Sequence, residues 1–373
     1  MVMRLRTALC DLLRIEYPIL QSGMGTVASP ELVAEVSRAG GLGILAGLNV
    51  PPDELRTMIR EVRALTDRPF GVNLWLHRDL RPTLDPATIP DETLRGAQAM
   101  LNQFRERLGV PTTTARPARG PNLVGAALEV VLDERPAVFS AALGTPEPGV
   151  FAECRRRGIK VVTMVACVED ARRAAADGAD VMVVQGSEAG GHRSIDGKPA
   201  QPDAASVGMI ALLPQVVDAV RVPVVAAGGI ADGRGLVAAL ALGASGVLLG
   251  TRFVATRESK APELYKKRLL ESDSGDTTLT DVITGLWARA LANTFTREYT
   301  ASGAPVLPPH VQRNAAGDVY LAALKQGDPE YYPMMAGQSV GLINDLPGAA
   351  DVVETIVREA REVLAALGQR VQV

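Results

Sequence analysis

Short runs of β-branched and other apolar residues alternate along the chain with segments in which apolar positions recur at helical spacing. This alternation is typical of βα units that build a parallel sheet. Eight such runs predict strands, at residues 18–21, 42–46, 70–74, 137–141, 159–165, 180–185, 222–226 and 245–249. Eight βα units over about 250 residues match a TIM barrel in number and size, so we predict an α/β fold of the (β/α)8 type.

Helix signals agree with this repeat. Ser29 followed by Pro30 gives the N-cap and first position of the helix after the first strand. Glycine stands just before four of the predicted strands, where a helix commonly ends in a left-handed residue: Gly40, Gly158, Gly178 and Gly243. The chain therefore contains helix boundaries at the places where a barrel requires them.

Two regions interrupt the repeat. Residues 75–136, between the third and fourth strands, are too many for a βα connection, and we predict an insertion that forms a lid or a small second domain. Residues 257–373 are predicted to form a helical C-terminal extension that packs on the barrel, with an amphipathic helix at 349–367. The barrel itself is assigned to residues 1–74 and 137–256.

Composition narrows the class of protein. The net charge of −3 over 373 residues provides no basic surface, which argues against a nucleic-acid partner. Three cysteines far apart in the chain indicate thiols in a reducing compartment, and no His, Cys or carboxylate spacing suggests a metal. Charged residues interrupt every apolar stretch near the N-terminus, so neither a membrane span nor a secretory signal is expected. We expect a cytoplasmic enzyme, monomeric or homodimeric, that acts on a small molecule.

The active sites of such barrels lie at the carboxyl ends of the strands, and in this chain glycines concentrate there. Two pairs of residues follow strands seven and eight, where barrels commonly bind phosphate through backbone amides: Gly228 with Gly229, and Gly250 with Thr251. The sequence therefore predicts a cofactor that carries a phosphate.

The sixth strand runs into a glycine-rich loop with a histidine, in the sequence VMVVQGSEAGGHRS at 181–194. Gly190 and Gly191 let backbone amides approach a flat anionic ligand that a Cβ would hold off. His192 is one of only three histidines, and we predict that it handles protons beside that ligand. His77 and His310 are expected to have no such role, His77 in a surface loop. The arrangement around His192 indicates a flavin site.

A dinucleotide site is the alternative interpretation of the first glycine cluster. Residues 23–28 read GMGTVA, which matches the G-x-G-x-x-A fingerprint between a strand and a helix. The acidic residue that should bind a ribose about twenty residues later is missing, because residues 44–47 read ILAG. A dinucleotide fold also does not predict seven further strands of this kind, so the barrel interpretation is preferred.

Several stretches of the chain resemble the nitronate monooxygenases, formerly called 2-nitropropane dioxygenases, which are FMN-dependent (β/α)8 barrels. The matching segments are PILQSGMG at 18–25, FGVNL at 70–74, GADVMVVQGSEAGGHRS at 178–194, VPVVAAGGIADGRGLVAALALGASGVLLGTRFVAT at 222–256 and MAGQSVGLI at 335–343. The strand-six segment and AAGGIADG are the specific ones. Together the matches cover most of the barrel and part of the extension.

The resemblance implies roles for individual residues. Gly23 and Met24 would lie beneath the isoalloxazine, and Asn73 and Gln185 would be within hydrogen-bonding reach of the flavin. His192 matches the catalytic histidine of the family. The stretches that hold the ribityl chain and phosphate of FMN correspond here to Gly190, Gly229, Leu248, Leu249, Gly250 and Thr251.

Three positions at the edge of the match have narrower expectations. Family members often carry a polar residue at the position of Leu248, so in this chain the contact there would come from the backbone. Gln338 and Gly341, in the last matching segment, are expected to close over the cofactor.

The resemblance also implies a reaction. An alkyl nitronate would give up electrons to FMN and, with dioxygen, yield a carbonyl compound and nitrite. His192 would orient the nitronate oxygens, or act as base on a neutral nitroalkane, because an ordinary histidine pKa of about 6.5 allows either near neutrality. Two alternatives stay open. One is an NAD(P)H-dependent flavin reductase of the same barrel family, acting on a quinone or an enoyl thioester, and the other is a non-catalytic flavin- or phosphate-binding barrel.

Overall fold

Parallel strands form the centre of the structure, a computed structural model that describes residues 5–77, 83–195 and 206–370. The strands in this part of the chain are β1 (Ile19–Gln21), β2 (Gly43–Ala46), β3 (Phe70–Trp75), β4 (Val138–Ala142), β5 (Lys160–Val165), β6 (Val181–Gln185), β7 (Gly191–His192), β8 (Val224–Ala227), β9 (Gly246–Leu249), β10 (Thr277–Thr280) and β11 (Ala288–Leu291). Eight of them pair in the order β1-β9-β8-β6-β5-β4-β3-β2. Each of the eight predicted runs overlaps one of these eight strands, so the predicted barrel is confirmed.

The helices in the described residues are α1 (Ala8–Leu13), α2 (Pro30–Arg38), α3 (Pro52–Leu65), α4 (Asp91–Arg107), α5 (Val124–Glu134), α6 (Pro148–Arg157), α7 (Val168–Asp177), α8 (Met209–Ala219), α9 (Gly233–Ala241), α10 (Thr251–Val254), α11 (Glu263–Leu270), α12 (Thr294–Ser302), α13 (Val311–Ala315), α14 (Gly317–Gln326) and α15 (Ala349–Arg370). The last helix, α15, packs against α9 and α2. The C-terminal extension therefore supplies the helix that completes the outer ring of the barrel.

The seam between β1 and β2 closes the barrel. Backbone pairing there is a single bridge between Leu20 and Leu42. The side chain of Gln21, which is completely buried, adds to it. Its Oε1 accepts from the N–H of Ile44 at 3.0 Å, and its Nε2 donates to the carbonyl of the same residue at 3.2 Å. One amide side chain thus substitutes for the next pair of ladder hydrogen bonds.

We expect Gln21→Leu to lower the free energy of unfolding by about 2–4 kcal/mol, because leucine leaves the N–H and C=O of Ile44 buried without these partners. Urea unfolding followed by circular dichroism measures the change. Gln215→Leu is the control, since the exposed side chain of Gln215 bonds, among the described residues, only to Ala211 of its own helix. It should change stability by less than about 0.5 kcal/mol. Equal losses in both variants would contradict the proposed function of Gln21 at the seam.

A second hydrophobic cluster lies outside the barrel and combines residues of α4 with the C-terminal extension. Phe104 of α4 stacks on Phe295 of α12 with the ring centroids 5.0 Å apart. Arg105 is buried and its Nε donates to Asp318 of α14 at 2.8 Å. The helix at 91–107 and the extension therefore form one unit, although Phe104 and Phe295 are 191 residues apart in the sequence.

The structure differs from the sequence analysis at two points in these regions. The insertion was assigned to residues 75–136, but α5 packs against α3, α6 and β3, in the outer ring of the barrel. The extension was expected to be helical, but it contains the antiparallel strands β10 and β11. The sequences of these two strands, TTLT and ARAL, are short and contain no long apolar run, so the sequence pattern did not predict them. β11 also pairs with β7. This pairing places His192 opposite Ala288.

Candidate active site

A cavity of about 920 Å³ lies at the carboxyl ends of the barrel strands. This volume is at the upper end of the roughly 300–1,000 Å³ that is usual for small-molecule sites. Thirteen of the predicted site residues line it: Gly23, Met24, Asn73, Gln185, Gly190, Gly191, His192, Gly228, Gly229, Leu248, Leu249, Gly250 and Thr251. The structure therefore brings together residues from five barrel strands, β1, β3, β6, β8 and β9, and from the segments that follow them.

The two remaining predicted residues, Gln338 and Gly341, do not line the cavity, although Ser339 between them does. The backbone N–H of Gln338 donates to the carbonyl of Glu188 at 2.9 Å. Gly341 is exposed, and a Cβ there would meet Asp273 Oδ1 at 2.5 Å. The segment therefore packs behind the glycine-rich loop and reaches the cavity through Ser339.

His192 is held between two side chains at the cavity. Its ring lies edge to face against Trp75, with the centroids 4.5 Å apart and the planes at 64°. Its Nε2 lies 2.8 Å from the hydroxyl oxygen of Thr284. Burial, together with the positive charges of Arg313 and Arg193, lowers the pKa of His192 to about 3. The imidazole is therefore neutral at physiological pH.

All three histidines of the chain gather at this end of the barrel. His77 is completely buried, so its expected position in a surface loop was wrong. His310 lies beside Trp75 in a small adjoining pocket, and burial lowers its pKa too. Both contribute to the lowered pKa of His192. Nothing in the local sequence of His310 indicates this position, because the fold alone brings residue 310 to strand β3.

The glycine-rich loop between β6 and β7 is held from within by Arg193. The guanidinium is 2% exposed and donates to the carbonyls of Gly186, at 2.7 Å, and Ala189. Burial lowers the pKa of Arg193 to about 9. Gln185 adds two bonds, because its Nε2 donates to the carbonyl of His192 and its Oε1 accepts from the N–H of Ser194, both at 2.8 Å. The side-chain amide of Gln185 therefore forms hydrogen bonds to the backbone at the end of this loop.

The same loop packs without space against the segment that follows Met335. A Cβ on Gly190 would lie 2.5 Å from the backbone nitrogen of Gly337, and a Cβ on Gly337 would lie 2.6 Å from the carbonyl oxygen of Glu188. The N–H of Gly337 donates to Thr251 Oγ1 at 3.0 Å. Only glycine fits at positions 190 and 337, and the contact joins the loop to the start of α10.

The outer wall of the cavity comes from the C-terminal extension, and the sequence analysis found few of its residues. In the run YYPMM at 331–335, three of the five residues line the cavity: Tyr332, Pro333 and Met335. Thr284, Arg313 and Tyr320 line it as well but were not identified. They follow no barrel strand and match no motif, so position along the sequence provided no signal.

Two kinds of site are absent from the described residues. In the part of the chain that the structure covers, His, Cys, Asp and Glu side chains form no group of three that could hold a metal ion. Within the same ranges, no helix has the length and apolar character needed to cross a membrane.

Comparison with known proteins gives a consistent result. A family model described as nitronate monooxygenase matches residues 6–359. The nitronate monooxygenase of Pseudomonas aeruginosa is 39% identical over 94% of this chain and 98% of that protein. The one from Paraburkholderia phytofirmans is 37% identical over 98% of each.

Two solved structures share the fold. The nitroalkane oxidase of Streptomyces ansochromogenes superposes with a TM-score of 0.87, at 35% identity, over 97% of this chain and all of that one. FabK of Thermotoga maritima does so with a TM-score of 0.75, at 32% identity, over 98% and 99%. The extent of the sequence and structure matches shows that the chain is an oxidoreductase and belongs to the nitronate monooxygenase family.

Proposed function

We propose that the protein catalyses the FMN-dependent oxidative denitrification of alkyl nitronates, which turns a nitronate and dioxygen into a carbonyl compound and nitrite. The observation that carries the proposal is the position of a neutral histidine on a large cavity that seven glycines also line. We further propose a small cytoplasmic enzyme, monomeric or homodimeric.

The cavity residues fit a flavin with a phosphate. Gly191 has a φ of +78°, and a Cβ built there meets nothing within 4 Å, so its backbone borders open space. Gly250 leaves similar room, since its nearest neighbour to a Cβ would be Met24 Sδ at 3.7 Å. Gly228, Gly229, Gly250 and Thr251 would hold the phosphate, with Met24 and Asn73 beside the ring system. When bound, FMN would supply the redox chemistry, taking electrons from the nitronate and passing them to dioxygen.

His192 would orient the nitronate. A neutral imidazole offers a hydrogen bond to a nitronate oxygen and has no charge that water must stabilise in the buried site. The sequence analysis also predicted His192 as a base toward neutral nitroalkanes. A pKa of about 3 leaves the ring able to accept a proton but gives little driving force near neutrality. We therefore propose that the main role of His192 is to orient the nitronate, and that proton abstraction is its lesser role.

Anaerobic mixing of the FMN-loaded protein with propionate 3-nitronate, and separately with NADH and NADPH, tests the proposal. We expect the nitronate to bleach the flavin absorbance within the turnover time. In a separate assay in air-saturated buffer, we expect oxygen uptake to proceed without a reduced nicotinamide. Fast bleaching by NADH or NADPH with no response to nitronate would favour the flavin-reductase alternative. A flavin that neither donor reduces would favour the non-catalytic barrel.

The pH dependence should reflect the neutral ring. The pKa of His192 is lowered from its ordinary value of 6.5 to about 3. The ring therefore stays neutral as the pH falls through 6.5. We expect kcat/KM for the nitronate to show no ionisation of His192 between about pH 5 and 8. Initial rates with freshly prepared nitronate measure the profile. An acidic limb near pH 6.5 that disappears in His192→Asn would contradict a ring that is neutral in this range.

A further inference from the structure

We propose that Thr284 is a positioning residue that holds neutral His192 in the tautomer with its proton on Nδ1. The ring then presents an N–H donor to the cavity. What this tautomer means for the choice of substrate rests on the proposed function. The assignment of the tautomer itself does not.

The hydrogen bonds of Thr284 decide the direction of its contact with His192. Thr284 is 7% exposed, so its hydroxyl needs a partner for its proton. The N–H of Leu286 lies 3.4 Å from Oγ1, and an N–H can only donate. His192 Nε2, at 2.8 Å, is the acceptor available to this hydroxyl among the described residues. Leaving a buried hydroxyl proton unbonded costs about 1–3 kcal/mol, so Thr284 donates and Nε2 carries the lone pair.

The other ring nitrogen faces the cavity. In the described part of the chain Nδ1 of His192 makes no hydrogen bond, and it does not belong to the polar atoms that are fully buried without a partner. The ring itself lines the cavity. Since Nε2 is unprotonated, a neutral ring must carry its proton on Nδ1. Trp75 packs against the ring and fixes its plane, so the Nδ1–H direction is fixed as well.

Charged side chains near His192 keep its ring neutral. Arg313 and Arg193 are positively charged, and His310 and His77 also lie close enough to oppose a second proton on the ring. Arg313 lines the same cavity from α13, which belongs to the C-terminal extension and not to the barrel. The ring is thus surrounded by groups that exclude the imidazolium. The remaining choice is between two neutral tautomers, and Thr284 is the side chain that distinguishes them.

The tautomer has a chemical consequence. An Nδ1–H can donate to an oxygen of a nitronate, which is an anion, but cannot take a proton from the α-carbon of a neutral nitroalkane. The nitrogen that could take that proton is already bonded to Thr284. Thr284 would therefore favour substrates that arrive already deprotonated.

Nitrogen NMR of protein labelled with ¹⁵N-histidine tests the tautomer directly, because protonated and unprotonated ring nitrogens resonate far apart. The chain has three histidines, and His192→Asn identifies the signals of interest. We expect Nδ1 protonated and Nε2 unprotonated in the wild type. In Thr284→Val the Nε2 signal should move and the second tautomer should appear, while Thr284→Ser should keep the wild-type pattern. A wild-type ring protonated at Nε2, or unchanged signals in Thr284→Val, would overturn the proposal.

Thr280→Val is the matched control, since Thr280 is a buried threonine on β10 whose Oγ1 accepts only from Val282 among the described residues. It should leave the His192 signals in place. In steady-state assays of the FMN-loaded enzyme we expect Thr284→Val to lower kcat/KM for the nitronate about tenfold with unchanged FMN affinity, and Thr284→Ser to restore it. Loss of FMN binding in Thr284→Val would instead mean a structural role and would contradict positioning. Because the NMR result needs no turnover, a failed nitronate assay does not affect it.

Discussion

Replacing His192 with asparagine is expected to lower kcat/KM for an alkyl nitronate by about 100-fold or more, while FMN stays bound. The ring of His192 faces the cavity and is held by Trp75 and Thr284, so its N–H is directed before the substrate arrives. Asparagine is polar and fits the space, but its amide cannot keep the edge contact with Trp75. Oxygen uptake at several nitronate concentrations, on enzyme with measured FMN content, gives the result.

His310→Asn is the control for this prediction. It removes another imidazole from the same group, yet His310 borders the small pocket beside Trp75 and not the main cavity. We expect a change of no more than a few fold. Full activity of His192→Asn with FMN bound would show that the loop histidine does not contact the substrate and would remove the basis of the proposed mechanism.

The barrel and the inner half of the site could be predicted because their signals are local. Each strand is a short apolar run followed by its own loop residues, and parallel strands bring those loops to one end. Gly190, His192 and Gly250 therefore indicated a shared site although sixty residues separate the first from the last. The glycines also indicated close contacts between backbone segments, because only a residue without a Cβ fits where two backbones touch.

The outer half of the site could not be predicted in this way. Thr284 and Arg313 reach the cavity because β11 pairs with β7 and because α4 packs with the extension. Pairing of short strands and packing of amphipathic helices depend on long-range contacts that leave little local pattern. For the same reason α5 was assigned to the insertion, since its helical pattern does not show which neighbours it packs against. The buried position of His77 likewise depends on elements far along the chain.

Replacing Gly190 with alanine is expected to raise the dissociation constant for FMN at least tenfold, or about 1.4 kcal/mol. The added Cβ would lie 2.5 Å from the nitrogen of Gly337 and 2.6 Å from the carbonyl carbon of Ala336, both backbone atoms that cannot rotate away. The loop and the segment at 336–338 must then separate by about 1 Å, a displacement large enough to disorder a binding site. Since Gly337 bonds to Thr251, the predicted phosphate site moves with them.

Two further glycine variants separate this clash from other effects of alanine. Gly125→Ala, in α5, adds a Cβ with nothing within 4 Å and should leave FMN affinity unchanged. Gly191→Ala also adds a Cβ in open space, but at a φ of +78°, so it should weaken FMN binding through backbone strain by less than Gly190→Ala. Fluorescence titration of each apoprotein with FMN measures the three constants. If Gly190→Ala binds FMN as the wild type does, the tight packing of the loop against residue 337 does not shape the cofactor site, and the phosphate must lie elsewhere.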